Sequence, residues 1–168
     1  MNIYNLDKKR YPNGKTPRVV KYYRKLQSMS SKSLFRLFYK ILFKLEKERT
    51  MIELSDKTEI GPGLYLGHHC CITINPNTKI GKNVNLSKGV TLGQENRGAR
   101  KGTPTLGDCV WLGVNSTVVG NIHIGTDVMI APNTFVNCDI PDHSIVFGNP
   151  CIIKHRENAT EGYIENLV

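Results

Sequence analysis

The chain predicts a mainly β fold, a stack of short parallel strands wound as a coil behind an N-terminal helical extension, and three observations carry that expectation. Aliphatic residues fall six apart in runs: Ile60, Leu66, Ile72; then Ile80, Leu86, Leu92; then Leu106, Leu112, Val118, Ile124, Ile130, Val136. Glycine often follows them, as at Gly61, Gly67, Gly81, Gly93, Gly107, Gly113 and Gly125. Ahead of the repeat, residues 17–50 hold few helix breakers. A helix has no use for a period of six, whereas short strands joined by tight corners bury one aliphatic residue on each side of every coil.

The first element is a basic, largely helical arm over residues 1–50, with 14 Lys and Arg against 3 acidic residues, while the remainder holds 9 against 11. Its strongest helix is Ser33 to Glu48, SLFRLFYKILFKLEKE. Arg36, Lys40 and Lys44 align along one helical face, and Leu34, Phe35, Leu37, Phe38, Ile41, Leu42 and Leu45 supply a broad apolar surface that must be buried. Two environments suit it: the coil or a neighbouring subunit with the charges in water, or the headgroup layer of an anionic membrane contacted through residues 17–50. Nucleic acid is not expected, because the cations sit on a Phe-rich helix with no interleaved aromatic platform. Residues 1–10, MNIYNLDKKR, lack the apolar core of a signal peptide, and no apolar run reaches the ~18 residues that a membrane span needs. A cytoplasmic protein is expected, in peripheral contact with the inner face of the membrane at most.

The second element is the coil, residues 51–154. Its phase breaks at an 8-residue step from Ile72 to Ile80 and a 14-residue step from Leu92 to Leu106, each whole hexads plus two. The longer step marks residues 93–105 as a protruding loop, which can leave the stack without disturbing the coils on either side. A tail, residues 155–168, follows. Overall, 39% hydrophobic and 22% charged residues suit one ordinary core. Cys70, Cys71, Cys109, Cys138 and Cys151 lack paired metal spacing and are expected as buried small hydrophobes, with Cys70 and Cys71 on opposite faces of a strand.

Residues 52–154 resemble the hexapeptide-repeat acyltransferases, and within them the serine acetyltransferase-like branch. The carriers are the repeat itself, IGPGLYLGHH (60–69), GVTLG (89–93), the loop to Thr103 and Pro104, LGVNSTVVGNIHIG (112–125) and GNPCIIK (148–154). The resemblance implies a left-handed parallel β-helix, a homotrimer, and acetyl-CoA bound as co-substrate between subunits. It also implies that His68, in Leu66-Gly67-His68, is the general base that takes the acceptor hydroxyl proton as oxygen attacks the thioester. Imidazole suits that task because its ordinary pKa lies near 6.5. His69 becomes a secondary acceptor contact, and Glu53, fifteen residues before His68, a carboxylate that orients the imidazole. Cofactor contacts carried over by motif position fall at Gly93, Gly113, Val114, Ala131 and Pro132, with Lys154 toward a CoA phosphate.

The chain departs from the serine pattern where that family grips the amino acid's two charges, since those positions here are Gly67, Gly102 and Thr103. Charges left unpaired in a closed site are costly, so a neutral hydroxyl is the expected acceptor: a sugar or a cell-surface polysaccharide precursor. Gly67, His69 and Thr103 would then lie against it. The loop QENRGARKGTP (94–104), with Arg97, Arg100 and Lys101, suits arching over the acceptor or reaching CoA phosphates. Serine O-acetyltransferase activity and a catalytically inactive trimeric scaffold are the alternatives. No metal is expected, because His68, His69, His123, His143 and His155 lack the spacing of the three-histidine zinc sites known on this architecture.

Overall fold

The computed structural model describes residues 2–168, and Met1 lies outside them. Three α-helices come first: α1 (Ile3–Arg10), α2 (Arg18–Ser28) and α3 (Leu34–Thr50), with a short 3₁₀ turn at Pro12–Gly14. Strands then follow three to a coil. The first coil holds β1 (Glu59–Ile60), β2 (Tyr65–Gly67) and β3 (Thr73–Ile74), and the second β4 (Lys79–Ile80), β5 (Asn85–Ser87) and β6 (Thr91–Gly93). The third holds β7 (Thr105–Leu106), β8 (Val110–Leu112) and β9 (Thr117–Val119), and the fourth β10 (His123–Ile124), β11 (Val128–Ile130) and β12 (Phe135–Val136). Last come β13 (Ser144–Phe147) and β14 (Ile152–His155).

Strands from successive coils pair in parallel to make three faces: β1-β4-β7-β10, then β2-β5-β8-β11-β13, then β3-β6-β9-β12. The result is the parallel β-solenoid that the hexad period calls for. One strand departs from it: β14 folds back antiparallel on β13, Ile145 opposite Lys154. All twelve aliphatic residues of the repeat are buried, and they form the interior of the coil. The glycines that follow them stack closely; a Cβ on Gly107 would come within 2.9 Å of the Gly125 carbonyl group.

The register corrects where the first break lies. Ile74, not Ile72, pairs with Leu92, so the two extra residues fall between Leu66 and Ile74, in the first corner from the second face to the third. The same corner in later coils runs six residues, as from Leu86 to Leu92. The two extra residues lie within the stretch His68-His69-Cys70-Cys71. Cys70 and Cys71 therefore sit in a turn, not a strand, and none of the five cysteines is buried. Most occupy corners or the closing hairpin, outside the apolar interior that the sequence suggested.

The helical arm is fastened to the first coil by buried polar contacts. Asp7 accepts hydrogen bonds from the amides of Gly63 and Leu64 and pairs with Arg24 at 2.7 Å. Arg24 also donates to the carbonyls of Ile60 and Gly61, and Tyr23 donates to the carbonyl of Thr58. Of the environments expected for the apolar surface of α3, the coil of its own chain is not the one observed. Phe43, Glu46 and Thr50 turn inward, and Arg36 donates to the carbonyls of Leu26 and Met29 and to Asp56. Leu34, Phe35, Leu37, Phe38, Ile41 and Leu45 face outward, between 53% and 93% exposed. The reason is the buried polar seam: Arg36 caps the end of α2, which fixes the rotation of α3.

The tail runs back along the stack toward the first coils. Asp127 accepts from the amides of Ala159 and Thr160 and from the Thr160 hydroxyl. Further on, Asn85 donates to the Tyr163 carbonyl, Arg10 to the Glu165 carbonyl and Asn83 to the Val168 carbonyl. Thus tail, α1 and the second coil share one buried polar cluster.

Candidate active site

The two-residue insertion decides the site. Because its corner is longer than those stacked on it, His68 and His69 stand out from the edge and both are exposed. His68 takes a left-handed backbone with φ 53°, and its carbonyl accepts from the Cys70 amide at 2.7 Å. The same left-handed turn recurs at other corners of the coil, Asn115 and Asn133 among them, so it shapes the corner and does not by itself mark the site.

His68 and His69 line an open cleft of about 650 Å³ with Gly67, Leu66 and Tyr65 of β2. The opposite wall comes from the helical arm: Tyr11, Lys15, Thr16, Pro17 and Arg18, with Glu46 and Arg49 from the end of α3. Glu46 is buried and accepts from Arg49 at 2.6 Å. Tyr11 is fixed by accepting the Leu66 amide at 2.8 Å, and burial raises its phenol so far that it stays protonated. The cleft therefore combines an imidazole, a carboxylate and several cations. The amino-acid sequence does not reveal Glu46 and Arg49 as site residues. Some twenty positions separate them from His68, and only the packing of α3 on the first coil joins them.

The cofactor candidates follow the same edge. Gly113 and Val114 form this corner in the third coil and Ala131 and Pro132 in the fourth, joined where the Asn133 amide donates to the Val114 carbonyl at 2.9 Å. With strands ~4.8 Å apart, they lie roughly 10 and 14 Å along the stack from His68. A Cβ on Gly113 would come within 2.5 Å of the Pro132 nitrogen, so this stretch of edge stays flat and close to bare backbone. Lys154 lies beyond, on β14, its ammonium 5.7 Å from the Phe147 ring centre.

Other expected residues lie elsewhere in the chain. Glu53 pairs with Thr73 on the third face and, with Gly93, lines a second cleft of about 1110 Å³ against Lys40, Lys44 and Lys47. Among the described residues, no hydrogen bond joins Glu53 to His68. Thr103 donates to the Asn77 carbonyl at a different corner of the triangle, and Gly102 packs against Asn121. The 93–105 loop is closed by an antiparallel bridge between Glu95 and Gly102 and by a Glu95–Arg100 ion pair at 3.0 Å. Among the described residues, no group of three or more His, Cys, Asp or Glu side chains is arranged to hold a metal ion.

Comparison with known proteins matches this architecture to one group. No protein-family model matches the chain. It is 36% identical over 118 residues to a serine acetyltransferase of Helicobacter pylori, covering 70% of this chain and 69% of that one. It is 37% identical over 99 residues to serine acetyltransferase 4 of Arabidopsis thaliana, covering 59% of this chain but only 28% of the plant protein. The chain thus spans less than a third of the plant relatives it matches. Among solved structures, the Neisseria gonorrhoeae serine acetyltransferase in complex with serine superposes with a TM-score of 0.68 at 26% identity, over 81% of this chain and 55% of that one. With its coil, its corner histidine and a relative matched over most of both lengths, the chain belongs to the serine acetyltransferase branch of the hexapeptide-repeat acyltransferase family.

Proposed function

We propose that this chain is an acetyl-CoA-dependent O-acetyltransferase whose acceptor is serine. The observation that carries the reading is the cleft shared by His68 with the Glu46–Arg49 pair. An amino acid brings an ammonium, a carboxylate and, in serine, a hydroxyl. Glu46 suits the ammonium, Arg49 with Arg18 suits the carboxylate, and His68 suits the hydroxyl. The sequence led to a glycan acceptor because Gly67, Gly102 and Thr103 carry no charge. The charges are supplied by the helical arm instead, and the relatives named above are serine acetyltransferases, so the glycan expectation gives way.

In the proposed reaction the neutral imidazole of His68 takes the serine hydroxyl proton as that oxygen bonds to the acetyl carbonyl carbon. The C–S bond then breaks and the CoA sulfur leaves with the proton held on His68, which restores the base. No enzyme nucleophile is required. Partial desolvation raises the thiol of half-buried Cys109, which keeps it a poor nucleophile at neutral pH. The flat edge at Gly113, Val114, Ala131 and Pro132 suits the extended pantetheine arm, with Lys154 placed for a phosphate. Assembly as a homotrimer is part of the proposal, and in it Gly93, Glu53 and Thr103 remain candidates for completing a site from a neighbouring chain.

The test is thiol release from acetyl-CoA with serine and, separately, a panel of sugars. Serine turnover that falls about 10²- to 10⁴-fold in His68→Ala supports the reading. Transfer to a sugar with none to serine overturns the acceptor, and an unchanged rate in His68→Ala overturns the base. Calorimetry that detects no CoA binding would make the coil a scaffold.

A further inference from the structure

Two of the five cysteines meet at the C-terminal end of the coil. Cys138 lies in the corner that leaves β12, and Cys151 lies in the turn between β13 and β14, 13 positions further along the chain. Their sulfurs are 3.8 Å apart and share a hydrogen bond. The backbone seats the hairpin there, because the Phe135 amide of β12 donates to the Gly148 carbonyl at 3.2 Å and the Ala131 amide donates to the Val146 carbonyl at 2.8 Å. Cys151 packs its half-buried side chain against the apolar interior, while Cys138 is exposed. The pair thus offers one thiol to an incoming reagent and holds the other in place. No step of the proposed acetyl transfer uses either.

We infer that Cys138 and Cys151 are a dithiol–disulfide pair, which a small disulfide such as glutathione disulfide closes into a bond that clamps the β13–β14 hairpin to the fourth coil. A disulfide holds its sulfurs about 2 Å apart, so closure asks each thiol to move by roughly 1 Å. The reaction balances in two exchanges. The Cys138 thiolate attacks one sulfur of glutathione disulfide and expels one glutathione, which takes up the proton that Cys138 gave up. Cys151 then loses its proton and attacks the Cys138 sulfur of the mixed disulfide, and the second glutathione leaves as a thiol. The chain is oxidised by two electrons and glutathione disulfide is reduced by two. Desolvation and the neighbouring Cys151 raise the Cys138 thiol, so the first exchange is slow near neutral pH. Both sulfurs belong to one chain and already face each other, so the bond asks for no partner subunit, only a path for the oxidant. The inference stands apart from the acetyltransferase reading and does not depend on its acceptor.

The test brings the full chain to equilibrium with glutathione disulfide, quenches it in acid, and maps its peptides without reductant. One peptide pair joined between Cys138 and Cys151 is expected, with the unfolded chain losing two of its five titratable thiols and regaining them in excess reduced glutathione. Hydrogen exchange of the Ile152–His155 amides is expected to slow about tenfold or more in the oxidised chain, because the closed loop removes freedom from the opened hairpin. Cys138→Ser and Cys151→Ser are each expected to form no such link and to show no slowing, whereas Cys71→Ser keeps both. Five thiols remaining after oxidation overturn the inference. So do a link between Cys70 and Cys71 in its place, a glutathione adduct on Cys138 that goes no further, or a Cys138–Cys151 link that leaves hydrogen exchange unchanged.

Discussion

At the scale of one residue the proposed chemistry rests on His68, which stands exposed at a corner of the coil. The motif Leu66-Gly67-His68 was enough to single it out. The other walls of its cleft were not legible in the same way, because Glu46 and Arg49 reach it by helix packing and not by any local spacing. Their contribution can be measured. Glu46→Gln keeps size and shape but removes the charge suited to an ammonium, so KM for serine is expected to rise about tenfold with a smaller change in kcat. Arg49→Gln is expected to act in the same direction. Glu53 makes no hydrogen bond to His68 of its own chain, so a fall in kcat in Glu53→Gln is the outcome that would place it at the site of a neighbouring chain.

Single elements make sharper structural demands. Each corner that stacks glycine on glycine leaves no room for a methyl group, so Gly107→Ala drives a Cβ to 2.9 Å from the Gly125 carbonyl. The expected loss is about 1–3 kcal/mol, read from urea denaturation. The tail makes a different demand, of charge. Asp127 is desolvated, which alone would raise its pKa, but donation from Thr160, His143 and Ala159 holds it below its ordinary 3.8. The Asp127 hydrogen bond, followed by nearby Glu157, raises His143 above its ordinary 6.5 against some desolvation. The raised His143 contributes below 6.5 and loses that contribution as pH climbs through its folded value. The lowered Asp127 contributes above 3.8 and loses it as pH falls through its folded value. Hydrogen-exchange protection of the Ala159 and Thr160 amides is therefore expected to be greatest in mild acid, to fall partly in alkali as His143 discharges, and to collapse in strong acid. Asp127→Ala should abolish both limbs. The period of six announced the strands, yet nothing in it announced the tail clasp, which forms between residues 32 positions apart.

Across the whole molecule, helical arm and solenoid behave as one body because their junction is polar and buried. Arg24→Met leaves Asp7 charged and without its cation in the interior, and the expected cost is about 3–5 kcal/mol in chemical denaturation, lost in one transition with the coil. The sequence by itself determined the solenoid, its twelve interior residues, the protruding loop and the corner histidine, because a coil repeats its demands locally every six residues. It misled on the cysteines, and it did not reveal which side of α3 meets the coil. Helix rotation is set by Arg36 on carbonyls of α2 and by Asp7 and Arg24 on the first coil, contacts with no period in the chain. Only the tertiary structure could decide that the apolar side of α3 faces away from the coil and that Glu46 and Arg49 line the same cleft as His68, because those outcomes depend on how separate elements dock and not on any local pattern.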